Sequence, residues 1–331
     1  MDFQRILIVQ TAFIGDVVLA TPLISKLHSH YPSARIDFLL RKGNENLLAK
    51  DPRLHEVLIW DKKKAKYREL FRLLKQIRNT RYDLIVNVQR FASMGFLTAL
   101  SGARLKVGFK KNPFAFAFDI PVRHELDKGI HETERNLALI RGFTDDQPEK
   151  PSLILDGELL GKVAMYKSLP YLTIAPTSVW HTKQLPAHKW ADLLKTTTFK
   201  GPIYLLGAPS DFEACEEIRK SCQHPGVINL CGKLSLMESA ALMKDARMNF
   251  VNDSAPMHFC SAVNAPVTAV FCSTVPSFGF GPLSDDSAVI EAPSELNCRP
   301  CGLHGHAACP HGHFACAETI DIIQMARRAE I

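Results

Sequence analysis

A carboxylate, Asp16, directly follows the glycine of a short turn near the amino end of the 331-residue chain. Residues 5–10, RILIVQ, form an apolar and β-branched run that is typical of a buried strand. The residues after the turn have helical periodicity up to about His30. In α/β proteins such a turn commonly binds phosphate through free backbone N–H groups, and a carboxylate would repel that anion. The turn therefore raises the question of what chemistry Asp16 performs.

A second loop, PTSVWHTK at residues 176–183, follows a predicted strand in the second half of the chain. Thr177 and Ser178 supply hydroxyl donors, and Lys183 supplies a mobile cation. Groups of these types suit the recognition of a diphosphate. The GxxxxGK[ST] pattern of a Walker A loop does not occur. A diphosphate site and an ordinary surface loop both remain open here.

The loop GAPSD at residues 207–211 could contact a ribose. Gly207 would allow a ligand to approach the backbone, and Asp211 could accept hydrogen bonds from ribose hydroxyls. Capping of the helix that follows is the simpler interpretation of this loop taken alone.

The loop NDSAPMH at residues 252–258 combines polar groups at the mouth of a predicted helix. Ser254 is explained by helix capping. Asp253 lies where a carboxylate could hold sugar hydroxyls, at the carboxyl edge of a sheet, which is where ligands bind in open α/β folds. His258 could contribute to the same site or be a hydrogen-bonded histidine of the core.

A dense basic run in the first half includes Lys62, Lys63 and Lys64. Such a run predicts a docking site for an anionic acceptor or for membrane headgroups; a solvated helix entrance is the alternative. Residues 1–150 contain 26 Lys and Arg against 17 Asp and Glu, whereas residues 151–331 contain 14 against 17. The two halves are therefore expected to meet different partners, the first of them anionic.

Four of the nine cysteines fall in the stretch CRPCGLHGHAACPHGHFAC near the carboxyl end. Cys298 and Cys301 have the spacing of half a zinc site, while Cys309 and Cys316 are more widely spaced than is usual. A structural zinc ion is one interpretation. Four buried thiols, or two disulfides, which a reducing compartment disfavours, are the others.

Strand-like and helix-like segments alternate along the whole chain, which predicts parallel sheets covered by helices. Two such series predict an α/β protein with two Rossmann-like domains. The polar linker at residues 144–158 contains two prolines and predicts the boundary. The expected parts are residues 1–150, residues 151–315 and a carboxyl-terminal helix at residues 316–331. Without an 18-residue apolar run or signal-peptide features, a cytoplasmic protein is expected.

Taken together, these stretches resemble glycosyltransferase family 9, the ADP-heptose:lipopolysaccharide heptosyltransferases, nearest to their heptosyltransferase II branch. The resemblance covers almost the whole chain. It is carried by ILIVQTAFIGDVVLATP, WDKKKAKYREL, HETERNLALI, APTSVWHTKQLP, LLGAP, NDSAPMHFCSAVNAPVTAVFCST and the cysteine-rich tail. Four residues depart from the usual family pattern, namely Ala12, Phe13, Ala255 and Val275.

The resemblance implies a GT-B fold, with two Rossmann-like domains facing across a cleft. It implies inverting transfer of a heptose from ADP-heptose to the inner core of lipopolysaccharide, at the inner membrane surface and without a required cofactor. The first domain would bind the acceptor, through Lys62, Lys63 and Lys64. The second would bind the nucleotide sugar, through Thr177, Ser178, Lys183, Gly207, Asp211, Asp253, Ser254 and His258. The resemblance also answers the opening question, because it makes Asp16 the general base.

Three alternatives remain open at this point. A GT-B transferase could use another nucleotide sugar or acceptor. A nicotinamide-dependent oxidoreductase is disfavoured because no GxGxxG follows either first strand. A zinc-bearing anion or nucleic-acid binder lacks any known nucleic-acid motif, so no nucleic-acid partner is expected.

Overall fold

The computed structural model describes residues 2–63, 65–126, 129–292 and 296–330. Its internal contacts divide the chain into two compact units, Met1–Ile154 and Leu155–Ile331. Each unit contains a six-stranded sheet, and every strand pair in both sheets is parallel. The expected α/β architecture of two Rossmann-like domains is therefore confirmed. The ligands assigned to the two domains stay predictions.

The sheet of the first unit has the strand order β3-β2-β1-β4-β5-β6. The strands are β1 Arg5–Val9, β2 Arg35–Arg41, β3 Glu56–Trp60, β4 Leu84–Asn87, β5 Leu105–Phe109 and β6 Ile120–Val122. The helices are α1 Ile14–Val18, α2 Thr21–His30, α3 Lys66–Thr80, α4 Ala92–Leu100 and α5 Glu132–Leu137. The order reverses between β1 and β4, and ligands of open α/β sheets bind at such a point, outside the carboxyl ends of the strands.

The sheet of the second unit repeats this topology as β12-β11-β10-β7-β8-β9. The strands are β7 Leu172–Ala175, β8 Ile203–Leu205, β9 Val227–Asn229, β10 Met248–Asn252, β11 Val267–Phe271 and β12 Ser287–Glu291. The helices are α6 Gly157–Val163, α7 Ala187–Thr196, α8 Phe212–Cys222, α9 Leu236–Lys244, α10 Ala255–Val263, α11 Ala315–Glu318 and α12 Ile322–Ala329. Short 3-10 turns lie at Glu45–Leu47, Ala115–Ala117, Ala164–Tyr166, His181–Lys183, Pro209–Asp211 and Pro276–Phe278.

The central strands are buried on both faces, which is why they read as continuous apolar runs rather than alternating ones. In β1, residues 6–9 are all fully buried, and all four residues of β4 are buried as well. The helices that cover the sheets are amphipathic. In α3, for example, Leu70, Leu73 and Ile77 face the core at helical spacing.

The single helix expected after the Asp16 turn is interrupted in the structure, which has two helices, α1 and α2, in its place. Pro22 has no N–H with which to continue the hydrogen-bond ladder from α1 into α2. The carbonyl of Val18, which that N–H would have met, instead accepts a 2.7 Å hydrogen bond from the Thr21 hydroxyl. The chain therefore bends at Leu19–Ala20, and the Asp16 turn belongs to a separate five-residue helix.

The carboxyl-terminal tail, expected as a helix at residues 316–331, contains α11 and α12 and packs within the second unit. Cys316, Ile320, Met325 and Ala329 are buried in the same apolar cluster as the β7 and β8 side chains. Within the described residues, no helix is both long and apolar enough to cross a bilayer.

Candidate functional site

The Asp16 carboxylate lies in the first turn of α1, just beyond the carboxyl end of β1. Its Oδ2 atom accepts a 3.0 Å hydrogen bond from the backbone N–H of Phe13, and this bond closes the turn. The side chain of Asn44 reaches the turn from beyond β2, donating to the Ala12 carbonyl at 3.2 Å. Asp16 is half-buried, so its position is fixed while its carboxylate keeps access to a ligand.

The surroundings of Asp16 make it an unusually strong base for an aspartate. Burial, and after it the negative charge of Glu132, raise the pKa of Asp16 from 3.8 to about 6. The Phe13 N–H and the positive charge of Arg90 oppose this rise. A carboxylate with this pKa is ionised at neutral pH and accepts a proton more readily than an ordinary aspartate.

Glu132 is a residue of the site that the sequence did not reveal. It lies on α5, is 5% exposed, and is held by Arg135 at 2.6 Å and by His124 at 3.1 Å. The same helix is joined to the end of α1 by the side chain of Asn136, which donates to the Leu19 carbonyl at 3.0 Å. HETERNLALI carried the family resemblance, but its spacing gave no sign that Glu132 acts on Asp16.

The basic run of the first unit is exposed where the structure describes it. Lys62 and Lys63 are both exposed, and Lys64 lies outside the described residues. Partial burial lowers the pKa of Lys62, and the positive charges of Arg41, Lys66 and Lys63 lower it further. These like charges are crowded, so an anion bound among them would relieve their mutual repulsion.

In the second unit, two of the predicted residues form an ion pair. The Lys183 ammonium lies 2.6 Å from Asp253 Oδ2, and both side chains are largely buried. The hydroxyl of Thr274 donates to the same carboxylate oxygen at 2.6 Å. Lys183 ends the 3-10 turn after β7, and Asp253 follows β10, which is the neighbour of β7 in the sheet. The pair therefore lies at the carboxyl edge of this sheet.

Asn252 fixes the loop that carries Thr177 and Ser178, although it was not among the predicted site residues. Its Oδ1 atom accepts from the Leu185 N–H at 2.9 Å, and its Nδ2 atom donates to the Pro176 carbonyl at 2.7 Å. The loop is thus held at both ends by one buried amide. Thr177 and Ser178 between those ends are half-buried.

The Gly207–Asp211 loop has the geometry of a helix cap. Asp211 Oδ2 accepts a 2.7 Å hydrogen bond from the Ala208 N–H. A Cβ atom on Gly207 would lie 2.9 Å from both the Asp211 Cβ and the Cys231 sulfur, so these neighbours alone require glycine there. The structure therefore gives both residues a local role, and their contact with a ribose stays a prediction.

Ser254 and His258 occupy the start and the first full turn of α10. Ser254 is half-buried, and its hydroxyl donates to the Asn252 carbonyl at 3.4 Å. His258 is 6% exposed. His258 is about as buried as Asp253, so a role in packing and contact with a ligand both stay open for it.

The segment at residues 299–306 braces this edge of the second unit, which the sequence did not indicate. Thr182, next to Lys183, donates its N–H to the His306 carbonyl at 3.1 Å, and its hydroxyl accepts from the His306 N–H at 2.7 Å. The Cys301 N–H donates to the Ser273 carbonyl at 2.8 Å. Arg299 donates to the carbonyls of Cys272 and Thr274, each at 2.7 Å.

The four tail cysteines come near one another but do not form a closed metal site. Burial raises the pKa of Cys316 to about 11, and the nearby charges of Cys298, Cys301 and Cys309 contribute to the rise. All nine cysteines are free thiols, so the disulfide alternative is not realised.

Among the residues that the structure describes, three or more candidate metal-ligating atoms lie within 4.8 Å of one another only at Asp37, His55 and Glu56. Asp37 is buried and accepts hydrogen bonds from the Tyr82 hydroxyl at 2.5 Å and from His55 at 3.1 Å. These hydrogen bonds account for the closeness of the Asp37 and His55 side chains without a bound metal ion.

Comparison with known proteins gives a consistent result. The family model described as glycosyltransferase family 9 (heptosyltransferase) matches residues 70–308. Lipopolysaccharide heptosyltransferase 3 of Escherichia coli is 30% identical over 287 residues, which cover 79% of this chain and 82% of that protein. The solved E. coli ADP-heptose lps heptosyltransferase II has a TM-score of 0.81 at 21% identity, covering 99% of this chain and 98% of that one. E. coli heptosyltransferase WaaC with ADP has a TM-score of 0.73 at 18% identity, covering 99% of each chain.

Proposed function

Because the chain belongs to glycosyltransferase family 9, the heptosyltransferases, and has their GT-B fold, we propose that it transfers a heptose from ADP-heptose to the inner core of lipopolysaccharide, with inversion at the anomeric carbon. The observation that carries the proposal is the Asp16 carboxylate, which lies at the switch point of the first sheet with its pKa raised to about 6. The E. coli relative with a solved ADP complex supports the choice of nucleotide.

Asp16 is the general base of this reaction. As the acceptor oxygen bonds to the anomeric carbon, Asp16 takes up the hydroxyl proton. The bond from that carbon to the phosphate oxygen breaks, and its electron pair leaves with ADP. Attack on the face opposite to the leaving group inverts the centre, through an oxocarbenium-like state. General-base help of this kind is typically worth about 10²–10⁴-fold in rate.

The second unit binds the nucleotide sugar. Lys183 neutralises charge that builds on the departing diphosphate, and Thr177 and Ser178 donate hydrogen bonds to the phosphates. Asp253 holds Lys183 at 2.6 Å, which keeps the ammonium at the sheet edge before the donor arrives. Asp253 also offers its second carboxylate oxygen to sugar hydroxyls, while Gly207, Asp211, Ser254 and His258 shape the surrounding loops.

The first unit binds the acceptor. An inner-core acceptor carries carboxylates and phosphates, and Lys62 and Lys63 present crowded positive charge to such groups. The acceptor is anchored in lipid, so the enzyme works in the cytoplasm at the surface of the inner membrane. Nucleic acid is not a partner in this proposal.

In this proposal the transfer reaction needs no cofactor, and a structural zinc ion would draw the four tail cysteines, which lie near one another without forming a closed site, into a single ligand set. Four thiols match the ligand set of a structural zinc site, and the same segment braces the loop of Lys183 through Thr182. Elemental analysis of the purified protein should find an equimolar amount of zinc, which the Cys298→Ser/Cys301→Ser variant should lose. Cys222→Ala, at a buried cysteine of α8, is the control. If the purified wild-type protein contains no zinc and is as stable as the Cys298→Ser/Cys301→Ser variant, the zinc proposal is contradicted.

The test of the transfer reaction is incubation with ADP-heptose and a core-truncated acceptor, followed by mass spectrometry for one added heptose. Asp16→Asn should lower kcat by about 10²–10⁴-fold while the Kd for ADP stays near that of the wild type. Asp146→Asn changes an exposed aspartate of the same unit and serves as the control. Retained turnover in Asp16→Asn would exclude the base role, and tight binding of UDP with no effect of ADP would favour another nucleotide sugar.

A further inference from the structure

A chain of aromatic rings crosses the surface of the first unit. Phe71 on α3 contacts Phe96 on α4, with ring centroids 6.2 Å apart. Phe96 contacts Phe114 at 5.9 Å, and Phe114 contacts Phe116 at 6.0 Å. The last two residues belong to the loop that follows β5. We call these four residues the aromatic strip.

The two ends of the aromatic strip are exposed to an extent that packing of the unit does not explain, while Phe96 and Phe114 between them are half-buried. Phe71 is 58% exposed and Phe116 is 85% exposed. Tyr67, one turn before Phe71 on α3, is 70% exposed, and Leu100 at the end of α4 is 44% exposed. Single exposed apolar residues are normal, whereas connected ones mark a surface that binds something.

Basic side chains border the strip, and acidic ones are nearly absent. The basic neighbours in sequence are Lys66, Lys75 and Arg78 on α3 and Lys110 and Lys111 in the loop after β5. The Arg78 guanidinium donates to the Leu100 carbonyl at 3.3 Å, which places it beside the apolar end of α4. Across residues 66–80 and 91–119 the sequence contains two acidic residues, Glu69 and Asp119, and their carboxylates are paired with Arg72 at 3.0 Å and with Lys106 at 3.4 Å.

We propose that the aromatic strip and its basic border form a docking surface for an anionic phospholipid bilayer. Aromatic rings are favourable at the boundary between headgroups and acyl chains, and lysine and arginine side chains are attracted to lipid phosphates. A neutral protein partner would leave the basic border unmatched, whereas an anionic bilayer matches both the charge and the exposed rings.

The position of the strip suits an enzyme whose acceptor is anchored in lipid. Phe114 and Phe116 follow the carboxyl end of β5, which is the sheet edge where the Asp16 turn follows β1. Docking through the strip would hold that edge of the unit near the bilayer surface. The proposal goes beyond the transfer reaction, because a bilayer can be bound without any donor or acceptor sugar present.

Flotation of the full chain with sugar-free vesicles tests this surface. Vesicles of phosphatidylethanolamine and phosphatidylglycerol should bind the protein at low salt, and phosphatidylcholine vesicles should bind it at least fivefold less. Phe71→Ser/Phe116→Ser should lower the bound fraction at least fivefold, as should Lys110→Glu/Lys111→Glu. The matched controls, Met165→Ser/Leu169→Ser and Lys220→Glu, change exposed residues of the second unit and should bind like the wild type.

Each result has a defined meaning. If the Phe71→Ser/Phe116→Ser variant binds vesicles as well as the wild type does, the proposal is overturned. It is also overturned if the wild type binds neither kind of vesicle. Light scattering that shows a dimer in the wild type and a monomer in this variant would assign the surface to a second copy of the chain instead. Circular dichroism verifies that the variants are folded. Failure here leaves the transferase proposal standing, since no sugar enters the assay.

Discussion

Asp16 is held in surroundings that oppose its ionised form. Its pKa is raised from 3.8 to about 6, so the folded state binds a proton more tightly than the unfolded chain does. The resulting stabilisation is complete below pH 3.8 and is lost as the pH rises through 6. At neutral pH the carboxylate therefore destabilises the fold, and the same property makes it a better base.

The first prediction concerns this loss of stability. Asp16→Asn cannot ionise and can still accept the Phe13 N–H, so it should be more stable than the wild type at pH 8 by on the order of 1–2 kcal/mol. At pH 4 the difference should nearly vanish. Urea unfolding at both pH values measures this. An equal difference at the two pH values would mean that the charge of Asp16 is not the cause.

The second prediction concerns Glu132, whose negative charge raises the pKa of Asp16. Glu132→Gln removes that charge, so the pKa of Asp16 should fall. The acidic limb of the pH profile of kcat/KM, expected near pH 6 in the wild type, should move to lower pH. Glu134→Gln, an exposed position on the same helix, should leave the limb in place. If the acidic limb of the Glu132→Gln profile stays at the wild-type pH, Glu132 does not influence the pKa of Asp16.

At the scale of elements, the predictable features were those that local sequence determines. Buried strands such as β1 and β4 read as apolar runs, and the helices between them read as amphipathic. Two of the four edge strands, β6 and β12, lack this signal for different local reasons. β6 contains Pro121, which usually argues against a strand but is tolerated at an edge. β12 buries one of its five residues, so it lacks an apolar signal.

The candidate site could be proposed from the sequence only where the reactive groups lie in the loop itself. Asp16, Lys183 and Asp253 stand out by residue type and position after a strand. Glu132 and Asn252 act through contacts with residues distant in sequence, and one chain without an alignment gives no signal for such contacts. The aromatic strip could not be predicted either, since Phe71 and Phe116 belong to different elements.

The third prediction concerns the contact between α4 and the loop after β5. A Cβ atom on Gly95 would lie 1.9 Å from Asn112 Oδ1. Asn112 holds that loop by donating to the Gln89 carbonyl at 2.8 Å and accepting from the Phe114 N–H at 2.9 Å. Gly95→Ala should therefore destabilise the protein by about 1–3 kcal/mol, as overpacking does.

Gly161→Ala is the matched control for that change, because Gly161 also lies in a helix and its Cβ would meet nothing within 4 Å. Its stability should be unchanged or raised by about 0.5–1 kcal/mol, since alanine favours helices. Chemical unfolding of both variants gives the comparison. Equal stabilities would mean that Asn112 moves aside without cost.

At the scale of the whole molecule, charge is divided between the two units. The first carries the excess of Lys and Arg, and the second has a small excess of Asp and Glu. Salt at 0.1 M ionic strength largely screens the attraction between exposed charges that are more than about 10 Å apart, and it screens buried pairs much less. A rise in salt concentration should therefore weaken the binding of the proposed anionic acceptor to the first unit more than the binding of the proposed donor at the buried Lys183.

The fourth prediction follows from this division. Lys62→Ala/Lys63→Ala should raise the KM for the acceptor severalfold and flatten its dependence on salt, because these exposed lysines attract anionic groups. The KM for the donor should change little. Steady-state kinetics at two ionic strengths measures both constants, with Lys220→Ala in the second unit as the control. A larger change in the KM for the donor would contradict the assignment.

The ion pair of Lys183 and Asp253 has a consequence for selectivity. Because the Lys183 ammonium is already paired with a carboxylate, an inorganic phosphate or sulfate ion gains little binding free energy from it. A ligand binds this pair favourably only if its anionic group contacts the ammonium and its hydroxyl groups donate hydrogen bonds to the carboxylate. A nucleotide sugar presents both features, so under the proposed function the pair should discriminate against the small anions that would otherwise compete for an open cationic pocket.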